Sequence, residues 1–166
     1  MTADRFDDLM AALDAPMTVV TAAVAEERAG CLVGFHAQAS IEPARYCVWI
    51  SKANHTYPVA LRASHLAVHL LAREDLDLAE LFGTVSGDRV DKFAVASAGA
   101  GPGGAPLLER CPNRLVLRRV SVGDDGGDHV AVTGEPVLAE TAGPFEPLRL
   151  SQVSGLTPGH DNAERR

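Results

Sequence analysis

The chain has 166 residues, 46% hydrophobic and 22% charged, with 22 acidic against 15 basic side chains and a formal charge of −7. That length suits one domain with a real core, and the composition excludes wholesale disorder. The acidic balance disfavours capture of nucleic acid or an anionic membrane at long range, so an anionic ligand has to be held by a local arrangement.

Phe6, Leu9, Met10 and Leu13 recur at i, i+3, i+4 and i+7, which predicts an N-terminal helix with one apolar stripe, ended before Pro16. The same segment carries Asp4, Asp7 and Asp8 and lacks the basic-then-apolar pattern of a secretory leader, so a cytoplasmic protein is expected. Thr18 to Val24, Cys31 to Phe35 and Tyr46 to Ile50 are β-branched, apolar or aromatic runs that predict three strands. The first two are expected to pair antiparallel through a polar turn over Glu26 to Gly30. Thr56 stands at an N-cap position with Pro58 in the first turn, predicting a short helix over Tyr57 to Ala63. Leu66 to Leu71 predicts a strand and, like the other apolar runs, is far shorter than the about 20 residues that cross a bilayer. Asp75 or Asp77 caps a helix through Phe82 that Gly83 ends. Gly99 to Pro106 reads as a loop, and Arg114 to Val122 and His129 to Leu138 as a hairpin around Gly-Asp-Asp-Gly-Gly-Asp. The domain is taken as residues 1–153, with a polar tail from Ser154. About six strands with two or three short helices predict an antiparallel β-barrel with helices packed outside, because closure removes exposed sheet edges. Cys31, Cys47 and Cys111, odd in number and widely spaced, read as buried small apolar residues rather than a disulfide framework or metal pair.

Gly99, Gly101 and Gly104 spell Gly-x-Gly-x-x-Gly, but Pro102 and Pro106 interrupt it and a strand follows. The strand-turn-helix context that aims amides at a pyrophosphate is therefore lacking. Residues at the spacing of His65 and His69 lie about 13 Å apart along a strand, so these two and His36 read as structural or surface histidines, with no metal site. Ser51-Lys52-Ala53-Asn54-His55-Thr56 leaves a strand and enters a helix. Its hydroxyls, ammonium, amide and helix N-terminal amides suit a phosphate. The same residues also make an ordinary capping turn with a solvated lysine. Thr84 to Arg89, followed by Lys92, supplies glycine and cationic groups for a ligand, in a composition that surface loops share. His129 follows Gly127-Asp128 beside a turn, where its ring either faces a pocket or is simply exposed.

Together these segments resemble the flavin reductase family, whose domain is an FMN-binding split β-barrel. Met17-Thr18-Val19-Val20-Thr21 resembles the family's Val-Thr-Val-Val-Thr. Gly30 to Ser40 and Glu42-Pro43 stand where it has a Gly-Met-Thr-Ala-Asn strand and a Ser-x-x-Pro-Pro segment. Leu66 to Leu71 resembles Phe-x-Val-Asn-x-Leu, and Leu78-Ala79-Glu80-Leu81-Phe82 resembles Leu-Ala-x-x-Phe. Asp91-Lys92-Phe93, Gly104-Ala105-Pro106-Leu107 and Gly127-Asp128-His129 with Gly134-Glu135 complete a match over residues 6–138.

The resemblance implies an NAD(P)H-dependent flavin reductase, a homodimer using FMN, with FAD or a deazaflavin as variants, and NADH or NADPH as co-substrate. Reduced flavin would pass to a monooxygenase. The isoalloxazine ring is expected against Leu32, Val33, Gly34, Phe35, His36, Ala37 and Gln38. The phosphate end is expected at Ser51, Lys52, Asn54, His55 and Thr56. Ser86, Gly87, Asp88 and Lys92 would flank the other side of the flavin, and His129 would face the nicotinamide. Two departures stand out. Small hydroxyl or amide residues under the ring are replaced by the Leu32 to His36 segment, and the Phe-Arg-Gly-Lys ending by Arg149-Leu150-Ser151-Gln152. These departures keep open an electron-relay or storage protein holding FMN, a deazaflavin or haem, and a barrel with no cofactor. Hydride transfer needs no catalytic triad, because the cofactor ring takes the charge and the protein supplies orientation and electrostatics.

Overall fold

Thr18–Val24 (β1) and Glu27–Val33 (β2) pair antiparallel from Thr18 opposite Val33 to Val24 opposite Glu27. The computed structural model describes residues 2–84 and 90–156. The hairpin turn is only Ala25 and Glu26, tighter than the predicted one, with Ala25 at φ 52°. Cross-strand bonding thus draws Arg28 to Gly30 into the strand despite glycine's weak β propensity.

The chain continues through His36–Ser40 (β3), Arg45–Ser51 (β4), Thr56–Arg62 (α2, after Thr2–Leu13 as α1) and His65–Leu70 (β5). Leu76–Thr84 (α3) and Lys92–Ala96 (α4) precede a small hairpin of Ala98–Ala100 (β6) and Pro106–Leu108 (β7). Arg114–Gly123 (β8), His129–Glu140 (β9) and Leu150–Val153 (α5) follow. Seven strands form one sheet in the order β2-β1-β5-β8-β9-β4-β3, every pair antiparallel. The two edge strands are consecutive in sequence, joined only by Gly34 and Phe35. Three residue steps reach at most about 11 Å, so the edges must approach and the sheet curls into a split barrel. Trp49 N–H donates to the Phe35 carbonyl at 2.9 Å, continuing the β3–β4 ladder into this link.

One core fills the curl with Val20, Cys31, Val48, Ile50, Leu66 and Leu117, and α2 adds Val59 and Ala60. A second joins Val19 and Leu71 to Leu78 and Phe82 of α3, Phe93 of α4 and Val153 of α5. Helices therefore cover the outer face of β1, which is why Thr18 to Ala22 is buried without alternation. All three cysteines are free and buried, as expected. His69, fully buried, joins elements: its Nδ1–H donates to the Val19 carbonyl and its Nε2 accepts Leu108 N–H, both at 3.0 Å.

Several boundaries differ from expectation. Among the described residues there are nine strands and five α-helices, more than the sequence suggested. β3 was hidden because His-Ala-Gln-Ala-Ser has little β character and gains strand form by pairing with β4. The glycine-rich loop holds β6 and β7 as well as a tight turn in which Gly103 takes φ 64°. α3 runs through Gly83 to Thr84 instead of stopping there, since the absent side chain lets the helix lie on Leu32; a Cβ would come within 2.9 Å of it. Thr56 lies inside α2 rather than capping it, and Asn54 Oδ1 accepts its N–H at 3.0 Å. α1 forms as predicted but none of its residues is buried: Phe6, Leu9 and Leu13 are 57%, 64% and 70% exposed. Among the described residues no helix is long and apolar enough to cross a membrane.

Candidate functional site

The seam opens onto a cavity of about 260 Å³. Leu32, Val33, Gly34 and Phe35 line it from the β2–β3 link, Trp49 and Ser51 from β4, and His129 from the first position of β9. Met17, Cys31, Asn54, Gly83 and Leu150 complete the wall, which is mostly apolar. β4 alternates Val48 and Ile50 inward, so Trp49 has to face outward, onto the cavity. The ring of His129 lies 4.9 Å from that of Phe35, with the planes 53° apart. Its Nδ1 meets Asp128 Oδ1 at 2.6 Å, which leaves Nε2 for other partners. His129 and Trp49 also border a cavity of about 270 Å³ lined by Asp124 and Asp125.

A neighbouring cavity of about 420 Å³ is lined by Glu26, Glu27, Arg28, Gly30, His55, Asp91, Lys92 and Phe93, among others. Gly30 and Cys31 are consecutive, as are Asn54 and His55, and each pair contributes one residue to either cavity. β2 and the β4–α2 turn thus separate two adjoining spaces. Lys92 is only 6% exposed; its Nζ donates to the carbonyls of Gly30 at 3.3 Å and Phe82 at 3.4 Å and sits 5.5 Å over the Phe82 ring. Among the described residues no carboxylate pairs with it, and burial pulls its pKa down. Arg28 stands over the Phe93 ring and lies 3.7 Å from Asp91.

Other expected residues take different places. Lys52 lines neither cavity: its Nζ meets Asp124 Oδ1 at 2.9 Å and its N–H donates to the Asp128 carbonyl. Ser51 Oγ accepts Ala53 N–H at 3.3 Å. Thr56 is buried and lines neither cavity, and burial pushes the pKa of the Cys31 thiol up to about 11. His36 turns away from the cavity. A carbonyl only accepts, so Nε2–H donates to Pro16 O at 2.7 Å, and Nδ1 accepts the Tyr46 hydroxyl at 2.6 Å. Ala37 and Gln38 are exposed on β3 and line neither cavity. Ser86, Gly87 and Asp88 lie outside the described residues. Sequence reasoning missed Met17, Trp49, Arg28 and Leu150; only the alternation around Trp49 carried a usable signal.

Fold and site define a split-barrel protein with a ring-sized apolar cavity at its seam and a buried ammonium in the space beside it. The chain belongs to the flavin reductase like domain family, whose model matches residues 10–152. It is 32% identical over 149 residues to an NADH:riboflavin 5'-phosphate oxidoreductase of Streptomyces pristinaespiralis, covering 87% of this chain and 81% of that protein. It is also 32% identical over 165 residues to the reductase component of a flavin-dependent trigonelline monooxygenase of Acinetobacter baylyi, covering 97% of this chain but 52% of the relative. An FMN-binding protein from Thermus thermophilus superposes with a TM-score of 0.71 at 26% identity, over 87% of this chain and 76% of that one.

Proposed function

We propose that this protein is an NAD(P)H-dependent flavin reductase that binds FMN with its ring in the seam cavity and its phosphate toward Lys92. The observation that carries the reading is the adjacency of an apolar, aromatic-lined cavity to a buried ammonium without a carboxylate partner among the described residues. A buried charge costs several kcal/mol unless it is compensated, and a phosphate would compensate it. The residues present fit the group: about 260 Å³ suits one planar ring system, and the adjoining space takes a polar tail. Ser51 and Asn54 line the seam cavity and His55 the adjoining one, whereas Lys52 is engaged by Asp124.

When bound, a flavin would supply a ring able to accept a hydride from a nicotinamide. The protein's part is positional. Leu32, Val33 and Trp49 exclude water from the ring, and Asp128 fixes the imidazole of His129 at the cavity mouth. Lys92 holds positive charge where the anionic tail would lie. The same reading includes a cytoplasmic setting, a monooxygenase taking the reduced flavin, and a homodimer; the uncovered apolar stripe of α1 supports the last.

The test is a spectrum of the purified protein followed by assay with NADH or NADPH and FMN or FAD. Loss of absorbance at the nicotinamide band is expected. A tightly retained flavin without that loss would instead mark a relay or storage protein, and a Soret band would mark haem and end the flavin reading.

A further inference from the structure

We propose that Met17 is a modification site: its thioether takes up one oxygen atom from peroxide formed in the seam cavity, and the resulting sulfoxide weakens flavin binding. The inference rests on the flavin reductase reading. Dioxygen takes two electrons and two protons from a reduced flavin and becomes hydrogen peroxide. The Met17 sulfur then bonds one peroxide oxygen, the O–O bond breaks, and the other oxygen leaves as water. The sulfur is oxidised and the peroxide reduced.

Among the described residues two sulfur side chains, Met17 and Cys31, line the seam cavity. They differ in chemistry. A thiol reacts with peroxide as its thiolate, and burial pushes the Cys31 pKa up to about 11, so this thiol keeps its proton at neutral pH. A thioether has no proton to lose and reacts as it stands. Met17 is only 5% exposed, which leaves the cavity as the main approach for an oxidant. Its backbone is fixed on both sides: the N–H donates to the Leu148 carbonyl at 2.7 Å, and the carbonyl accepts Leu71 N–H at 3.2 Å. A Cβ added to Gly34 would lie 3.3 Å from Met17 Sδ and 3.4 Å from its Cε, so the thioether packs closely against the β2–β3 link. With that side filled, an added oxygen has room only toward the cavity. There it puts a polar atom into a mostly apolar wall and takes space from the ring. Turnover that loses electrons to oxygen thereby lowers the protein's own flavin affinity.

The test turns over the FMN-loaded protein with NADH in air, with catalase present to clear peroxide from bulk solution. A short methionine-containing peptide is added as a reporter of bulk oxidant, and fragment mass spectrometry reads the oxygen gained at each methionine. Met17 should be oxidised while the peptide is spared, and neither should change without oxygen. Hydrogen peroxide added to the flavin-free protein without catalase should reverse that order. Reloaded with fresh FMN, the oxidised protein should bind it about 3- to 10-fold more weakly than before turnover, by fluorescence titration. Met17→Leu, which carries no sulfur at this position, should show the same FMN affinity before and after. Met17 unmodified after sustained turnover, the same order with both oxidants, no change in FMN affinity on oxidation, or a loss that Met17→Leu shares would each overturn the proposal. In those cases NADH is still consumed and the reductase reading stands. A protein that takes up no flavin or consumes no NADH ends that reading and this inference with it.

Discussion

Lys52 Nζ lies 2.9 Å from Asp124 Oδ1, so the turn leaving β4 is tied to the turn between β8 and β9. The hydrogen bond from Lys52 is the main reason the Asp124 carboxyl is held below its usual range. In the proposed arrangement Lys52 is engaged by this pairing, and the buried Lys92, with Arg28 nearby, supplies the positive charge beside the cavities. Replacing Lys52 by Ala should change FMN affinity by less than about threefold, in keeping with an exposed ion pair. Lys92→Met, which swaps a buried charge for an apolar chain of similar length, should lose more than about tenfold without unfolding the protein. FMN titration of the two variants decides the assignment, and equal losses would return the phosphate to Lys52.

His69 makes stability depend on pH. Burial first of all pulls its pKa down to about 4, and its Nε2 acts as an acceptor, so the folded protein needs the neutral ring. The unfolded chain binds the proton near pH 6.5. Between those values the unfolded state carries more protons, so the contribution is complete above about 6.5 and is lost as pH falls toward 4, to a total of about 3 kcal/mol. Urea midpoints for native protein and His69→Gln should diverge at pH 7.5 and converge by pH 4; a constant difference would contradict the assignment.

Trp49 is the single tryptophan and lines the seam cavity. Flavin binding should therefore quench most of the indole emission, saturating at one flavin per chain. Binding seen by dialysis without quenching would place the flavin elsewhere.

The stripe of Phe6, Leu9 and Leu13 is exposed along α1. If a second copy covers it, Leu9→Glu combined with Leu13→Glu should turn a dimer into a monomer by light scattering. Because Leu9 and Leu13 are 64% and 70% exposed, thermal stability of the subunit itself should change little.

β1 was legible to the residue, and the β8–β9 hairpin nearly so, because β-branched runs and turn chemistry are local properties written in neighbouring side chains. The periodicity of α1 likewise announced a helix, yet could not say that its apolar face would lie uncovered. β3 and the seam were out of reach because they exist through pairing with β4 and the forced approach of two sheet edges. The order Gly-Asp-His marked His129 as worth attention, but its contact with Phe35 depends on where β9 begins relative to the β2–β3 link. Between two lysines of like sequence character, only the packed chain decided which met a carboxylate at the surface and which was sealed against carbonyls and a phenyl ring. Sequence sets the strands and turns through short-range preferences; the distance between residues far apart in the chain, and hence the site, is set by closure of the barrel.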